Sequence, residues 1–432
     1  MTSLLFAHHY KPEPFWWERS QLSVEPEPTL PAKADVVVIG SGYTGLCAAI
    51  QTVRGGRHTV VIEANAIGSG CSSRNGGQIS TAIKPQSTDL RRKVGDQLAY
   101  DIVKEGHNAL KWMGEFIAAE NLDCDFNVCG RFYAAHAPGQ FEVIAKSIEN
   151  PLQGLETDAY VVPKAEQHAE IDSPDYHGGV VFPHHAGLDP SAYHRGLLDR
   201  ARAAGVAVIG HCGATGISGS AGDFTIETVN GPIQARYIIV ATNGYTGGLS
   251  YWHRRRIIPI GSYIIATEKL APDVIQRLIP KRRMINDTRK LVVYYRTDPA
   301  GERIVFGARV SIAETDPTSA VPALHAEMVK RFPDLAATKV SHAWMGFVGY
   351  TFDEMPHLGV HNGIHYSMGY CGSGVGLSSY FGTKIGQQVL GLEDGDSPLT
   401  QIDFPTRPYY WGKPWFLAPA VRYYRWKDAR AD

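Results

Sequence analysis

The sequence predicts an α/β protein in which a nucleotide-binding domain of βαβ type is interleaved with a domain built on an antiparallel sheet. Three observations carry this reading: a glycine-rich strand–turn–helix unit near the start, two further strand-and-turn segments of similar character far along the chain, and strand-like alternation between them. The β-branched run at residues 36–39 enters the turn Gly40-Ser41-Gly42-Tyr43-Thr44-Gly45, and a helical stretch follows. In such a unit the first glycine permits the tight turn, the second lets the backbone approach a pyrophosphate, and the third packs helix on strand. The phosphates rest on the free N–H groups and positive dipole end of the helix. A second strand at residues 58–62 ends in Glu63, 18 residues after Gly45. That is close to the roughly 20-residue offset of an acid that hydrogen-bonds a ribose diol. The unit is a Rossmann-like dinucleotide site.

Residues 68–78, Gly-Ser-Gly-Cys-Ser-Ser-Arg-Asn-Gly-Gly-Gln, form a polar loop with little to bury. Backbone N–H groups and short hydroxyls at this density suit a cofactor lying along the chain. Together with the segments at 36–45 and 60–63, this loop resembles the D-amino acid oxidase-like flavoproteins, and its Ser-x-Arg-Asn-Gly-Gly form is most similar to the γ-glutamylputrescine oxidase branch. The resemblance implies a Rossmann-like FAD-binding domain of glutathione reductase/DAO type, with this loop beside the isoalloxazine ring. The cofactor contacts it implies are Gly40, Gly42, Tyr43, Thr44, Gly45, Glu63, Ala64, Ser72, Ser73, Arg74, Asn75, Gly76, Gly77 and Gln78.

Further elements of the resemblance follow in order. Gly187-Leu188-Asp189-Pro190 precedes a helical stretch, and residues 237–240 form a buried-strand run ending in Ala241-Thr242-Asn243-Gly244. Trp344-Met345-Gly346 and the pattern Thr351-x-Asp353-x-x-Pro356-x-x-Gly359 come next. A last glycine-rich turn, Gly369 to Gly376, leads into a helix whose N-terminus in the family points at the pyrimidine edge of the flavin, where a positive dipole end stabilises negative charge. The resemblance thereby adds Ala214, Ala241, Thr242, Asn243, Gly244, Gly346, Gly372, Ser373, Gly374, Val375 and Gly376 to the cofactor contacts. Two departures stand out. Relatives often carry His at the position of Ser373 and Lys at or near Gly376, and a lysine associated with oxygen activation falls on Val305.

The expected organisation is discontinuous: residues 33–85, 185–250 and 345–395 for the FAD-binding domain, 120–184 and 251–344 for the substrate domain, and 396–432 as an aromatic C-terminal tail. The alternating stretches at 125–135, 257–266 and 291–296 would build an antiparallel sheet with one face toward the flavin and the other toward helices. A small-molecule site belongs at the interface of the two domains.

At 432 residues the chain can bury a large core, and 44% apolar with 20% charged residues is a globular composition. A net charge of −1 gives no electrostatic case for nucleic acid. The six cysteines include no C-x-x-C pair, which favours a reduced, cytoplasmic chain. Cys71 and Cys371 lie in the cofactor loops, but their neighbours read as backbone contacts, so the FAD is expected to be non-covalent. No apolar run approaches a membrane span. The aromatic ends, Phe15-Trp16-Trp17 and residues 409–417, are expected to pack on the body, with a peripheral membrane or oligomer contact as the alternative.

The chemistry implied by the resemblance is oxidation of the C–N bond of a primary or N-alkylated amine or amino acid to an imine that hydrolyses, with oxygen or another acceptor taking the electrons. Positioning matters more than acid–base machinery, in keeping with the lack of a triad, carboxylate pair or metal-ligand spacing in the sequence. His184-His185 and His8-His9 read as ordinary polar residues and Arg254-Arg255-Arg256 as a structural cluster. Candidate substrate contacts are Tyr263, Tyr350, Ser373 and Trp344, with Arg296 or Arg309 as the holder of an anionic tail. Two other classes stay open on the sequence alone: a nicotinamide-dependent dehydrogenase and a non-catalytic FAD-fold subunit of an amine dehydrogenase complex.

Overall fold

The computed structural model describes residues 5–23, 27–85, 87–149, 151–310 and 314–430. Among these, the strands Lys33–Ile39, Thr59–Ile62 and Ala207–Ile209 line up in parallel, and the last half of Gly231–Val240 pairs in parallel with Lys33–Ile39. All four residues of Thr59–Ile62 are buried, as are Val36, Val37, Val38 and Ile39, so β-branched residues face both ways and helices cover one side. The strand Ile364–Met368 adds in parallel to Gly231–Val240 and forms a hairpin with His357–His361. Segments distant in sequence thus meet around one nucleotide-type sheet.

Helix Tyr43–Arg54 leaves that sheet and packs against helix Gly374–Leu390. The approach is close because the second of these helices presents glycine: a Cβ on Gly382 would lie 2.4 Å from the Thr44 carbonyl oxygen. This packing brings the first and last glycine-rich turns side by side.

The second sheet is built, among the described residues, from nine strands in the order Phe6–Lys11, Val340–Tyr350, Ile258–Thr267, Ile304–Ala308, Val293–Thr297, Met284–Asp287, Arg131–Ala134, Gly179–Phe182 and Tyr160–Val162. It is mixed rather than wholly antiparallel. Phe6–Lys11 runs parallel to Val340–Tyr350, and Met284–Asp287 runs parallel to Arg131–Ala134. Both junctions join segments far apart in sequence, where no hairpin dictates direction. Val340–Tyr350 also runs unbroken through position 345, so the expected boundary there falls inside a strand.

The two faces of this sheet differ. Tyr263, Ile265, Tyr295, Phe306 and Ala308 pack with Ala320, Val321, Leu324 and Met328 of helix Pro317–Arg331. Ile264, Ala266, Val305 and Trp344 face the other way, toward Trp16 and the loop at 68–78. One cross-strand row on this second face reads Tyr133, Asn286, Tyr294, Gly307, Ile264, Trp344.

The aromatic ends behave differently from one another. Trp16 has no exposed surface and its segment is part of the core, whereas only Phe404, Tyr410 and Val421 of the C-terminal tail are buried apolar side chains apart from Leu399. Trp411, Trp415, Tyr423 and Trp426 are each more than half exposed.

Candidate active site between the two sheets

The helix Tyr43–Arg54 begins at Gly42, in extended backbone, with no acidic residue in its first turn. The Leu46 amide is bonded back to the Gly42 carbonyl (2.9 Å), and the amides of Thr44 and Gly45 ahead of it are the free donors that an anion needs. Tyr43 N–H donates to Ser72 Oγ at 3.1 Å, which ties the polar loop to this helix end. A Cβ on Gly45 would fall 1.9 Å from the Gly40 carbonyl oxygen, so this position must be glycine for helix and strand to meet. Glu63, at the end of Thr59–Ile62, accepts from Ser41 N–H (3.0 Å) and Ser41 Oγ–H (2.9 Å) through one oxygen and from Asn65 N–H (3.2 Å) through the other. The half-buried carboxylate is fixed beside the phosphate turn. Ala64 follows it at the surface, against Gly213 and close to Ala214 at the start of the next strand. Bare glycine turns, orphan amides and a fixed carboxylate fit the adenosine diphosphate half of FAD.

The loop at 68–78 is cross-braced. Ser73 Oγ donates to the Gly68 carbonyl (2.6 Å) and accepts from Trp17 Nε1–H (2.9 Å). Arg74 Nε donates to the Ser69 carbonyl (2.6 Å), and its guanidinium lies 4.6 Å from the Trp17 ring. Asn75 Nδ2 donates to the carbonyls of Cys71 and Ser72, while its Oδ1 accepts from Gly77 N–H. Gln78 Nε2 reaches the carbonyls of Ile285 and Tyr295 in the second sheet. The side chains of Ser73, Arg74, Asn75 and Gln78, expected as cofactor contacts, thus shape the loop. Gly76 rests on the Tyr294 ring, with which a Cβ would make a 3.0 Å contact.

The third and fourth segments converge on the same place. Ala241 N–H bonds to the Ile39 carbonyl, Thr242 Oγ1 pairs with Thr246 Oγ1 (2.6 Å), and Asn243 Oδ1 accepts from Gly369 N–H (2.9 Å). Gly244 lies against the Phe347 carbonyl, one residue beyond Gly346, which itself approaches Cys71. Gly372, Ser373, Gly374, Val375 and Gly376 form the turn into helix Gly374–Leu390, whose N-terminus has no side-chain cap. Thr44 Oγ1 and the Tyr370 hydroxyl are bonded at 2.7 Å, joining the two glycine-rich turns directly.

The substrate candidates separate clearly. Tyr350 lies on the loop-facing side, with the Lys84 ammonium 5.6 Å from its ring centroid. The Tyr350 phenol raises the Lys84 ammonium above its ordinary value, against the opposing effect of burial. Tyr263, by contrast, points to the helix-covered face and donates its hydroxyl to Glu314 (2.9 Å); strand alternation puts Ser262 and Ile264 on the loop side instead. Trp344 donates Nε1–H to the Arg74 carbonyl (2.7 Å) and holds the loop. Arg296 spends its guanidinium on the carbonyls of Leu188 (2.8 Å), Gly77 and Thr297, and Arg309 pairs with Glu314 (2.7 Å). Arg296 is thereby committed to backbone carbonyls, whereas Arg309 bonds through Nη1 alone and its Nε and Nη2 have no hydrogen-bond partner among the described residues.

Sequence reasoning missed two basic groups on the right face, Lys84 and Arg131. The signal for Arg131 lay in the alternation Arg131-Phe132-Tyr133-Ala134, which places Arg131 and Tyr133 opposite the buried Phe132 and Ala134. Among the described residues no group of His, Cys, Asp or Glu is arranged to hold a metal, and no helix is long and apolar enough to cross a membrane. All six cysteines are free thiols.

Comparison with known proteins completes the assignment. The family described as FAD dependent oxidoreductase, DAO, matches residues 35–388. The protein named "probable oxidoreductase OrdL" of Rhizobium meliloti is 29% identical over 91% of this chain and 92% of its own length. The γ-glutamylputrescine oxidoreductase of Escherichia coli is also 29% identical, over the same shares. Glycine oxidase from Geobacillus kaustophilus shares the fold with a TM-score of 0.70 at 15% identity, covering 88% of this chain and all of that one. A family match of this extent selects FAD over the nicotinamide reading. The chain belongs to the DAO family and is an FAD-dependent oxidoreductase.

Proposed function

We propose that this enzyme oxidises the C–N bond of a primary or N-alkylated amine carried by a small molecule, using FAD held non-covalently. The observation that carries the reading is the loop-facing side of the second sheet. It offers aromatic and amide side chains (Tyr133, Asn286, Tyr294) with Lys84 and Tyr350 nearby, and it lacks a nucleophile paired with a base. Such a surface orients a substrate and excludes water. The name of the Escherichia coli relative supports an amine as the reacting group, with a γ-glutamyl polyamine as the finer expectation.

FAD, when bound, supplies the acceptor for a hydride equivalent. The chain supplies the rest. The orphan amides of helix Tyr43–Arg54 bind the diphosphate, and Glu63 takes the ribose. The N-terminus of helix Gly374–Leu390, uncapped by any side chain, offers partial positive charge. Lys84 lies beside Tyr350 with its charge stabilised, so it serves as an electrostatic and positioning group rather than a base. Burial pushes the thiols of Cys71 and Cys371 up to about 11, which leaves both protonated and unsuited to form a tether.

The test is a visible spectrum of the purified protein followed by anaerobic addition of an amine panel. Flavin absorbance that bleaches with amines and passes to the supernatant on acid precipitation is the expected result. Colour that stays with the precipitated chain overturns the non-covalent part; a flavin that no amine bleaches overturns the amine.

A further inference from the structure

The arginines around the second sheet mostly have an ion-pair partner or cap a carbonyl, and Arg131 does neither. Arg283 pairs with Glu170, Arg289 and Arg331 with Asp175 and Asp287, Arg309 with Glu314, and Arg296 and Arg303 cap backbone carbonyls. Arg131 is half-buried, with no ion pair and no side-chain hydrogen bond among the described residues, and its Nε is shielded from solvent without an acceptor. Its guanidinium lies between two rings instead, 4.9 Å from Phe182 and 5.5 Å from Tyr133. Burial pulls it down to about 10, a sign of a cation left uncompensated.

Other orphaned groups lie close by. Asn286, opposite Tyr133 in the neighbouring strand, has a buried Oδ1 with no donor, and His185, stacked on Phe182 at 4.9 Å, has a buried Nδ1 with no partner. A guanidinium with a shielded, unpaired nitrogen costs stability, so a fold that retains one near an unfilled acceptor has left room for a ligand with both a negative group and a donor. The position also sets a distance. Gly76 rests on Tyr294, and the strand carrying Arg131 is two strands away from that of Tyr294. Two strand spacings amount to about 10 Å. An α-carboxylate is attached to the very carbon that reacts and does not reach across that gap.

We infer that Arg131, with Asn286 beside it, forms a distal head-group site that binds a carboxylate separated from the reacting amine by an extended chain. This rests on the amine reading above and narrows it to ω-amino acids and amines whose far end is an amino-acid head, as against α-amino acids. Arg131 is a specificity residue, and Asn286 accepts from the amide or ammonium next to the carboxylate.

The test compares ε-aminocaproate, n-hexylamine and glycine as reductants of the flavin in the holoenzyme, in wild type, Arg131→Met and Arg131→Lys. Wild type is expected to favour ε-aminocaproate over n-hexylamine in KM by about ten- to a hundredfold, the worth of a charge-assisted pair, and over glycine by more. Arg131→Met removes the first preference by raising the KM for ε-aminocaproate to about that for n-hexylamine. Because it also removes an unpaired charge, its melting temperature should match or exceed that of wild type. Hexanoate, which carries no amine to oxidise, is titrated calorimetrically into each protein, with binding expected in wild type and lost in Arg131→Met. Glycine as the best reductant, an undiminished preference in Arg131→Met, or hexanoate binding indifferent to Arg131 overturns the inference. Should no amine bleach the flavin while hexanoate binding still depends on Arg131, the amine reading fails and the carboxylate site stands.

Discussion

Trp16 donates its indole Nε1–H to the Asn75 carbonyl at 2.9 Å from a side chain with no exposed surface. The next residue repeats the connection, Trp17 to Ser73 Oγ, and Trp344 reaches the Arg74 carbonyl from the sheet beneath. The loop at 68–78 is thus clamped between an N-terminal strap and the second sheet. The strap is anchored by strand Phe6–Lys11, which is sewn onto the edge of that same sheet. A polar, glycine-rich loop has little apolar surface of its own, so its shape depends on these donors.

Trp16→Phe keeps most of the ring and removes the donor, leaving a buried carbonyl unsatisfied at a cost of about 1–3 kcal/mol. Trp16→Ala also opens a cavity and should cost about 3–5 kcal/mol. Both variants are expected to release flavin more readily than wild type when measured at equal protein concentration. Wild-type flavin retention in Trp16→Ala, alongside a lowered melting temperature, would separate the strap from the cofactor and show that it serves stability alone.

Glu63→Ala should weaken FAD retention by roughly 1.5–3 kcal/mol, the worth of hydrogen bonds to a charged group. The carboxylate is already oriented by Ser41 N–H and Oγ–H, so little ordering is needed when ribose hydroxyls arrive. Titration of apoprotein with FAD gives the affinity directly. Unchanged affinity in the variant means that the ribose is held elsewhere.

Much of this was legible in the sequence because the nucleotide turns are local. Gly40, Gly42 and Gly45 act within six residues, and Glu63 sits at a fixed offset set by one helix and one strand. The second sheet was harder. Tyr263 was the natural first choice as an aromatic on a strand toward the flavin, yet a single-residue step decides its face, and period-two alternation without an anchor leaves that choice open. Trp16 and Arg131 are set by contacts across 59 residues and by pairing of distant strands, which no local pattern records. Val305, the position on which the family's lysine falls, is buried with Trp16 and Trp344.

Acid sensitivity follows from two histidines. His185 and His253 are 2% and 1% exposed, and burial, with Arg131 acting second on His185 and His361 second on His253, pushes them down to about 2 and about 3. Both are neutral in the folded chain but titrate near 6.5 when unfolded. Below that value the unfolded state binds more protons, so stability is full above about pH 6.5 and falls as the pH drops toward 3. Each group contributes about 1.4 kcal/mol per pH unit in that window. Urea denaturation at neutral pH and at successively lower values should show the loss, with His253→Gln reducing the slope by close to one proton. A stability that is flat through this window contradicts the placement of both rings.

The identity of the electron acceptor turns on the surroundings of Val305. Positive charge near an oxygen pocket stabilises the anion created when oxygen takes an electron in a water-poor site. Val305 is 2% exposed, with Trp16, Trp344, Ile264 and Ala266 packed around it, so this spot is apolar. The cation directly across the ladder, Arg296, is committed to the carbonyls of Leu188 and Gly77, and burial lowers it further from its ordinary value. Lys84 lies beside Tyr350. Turnover is therefore expected to run faster with an artificial dye than with air as the sole acceptor. Oxygen-electrode and dye-reduction assays on the same preparation decide it, and equal rates with oxygen and dye would mean a true oxidase that draws its positive charge from the substrate or from Lys84. Lys84→Met then distinguishes the two sources, because it slows the oxygen reaction only if the lysine supplies that charge.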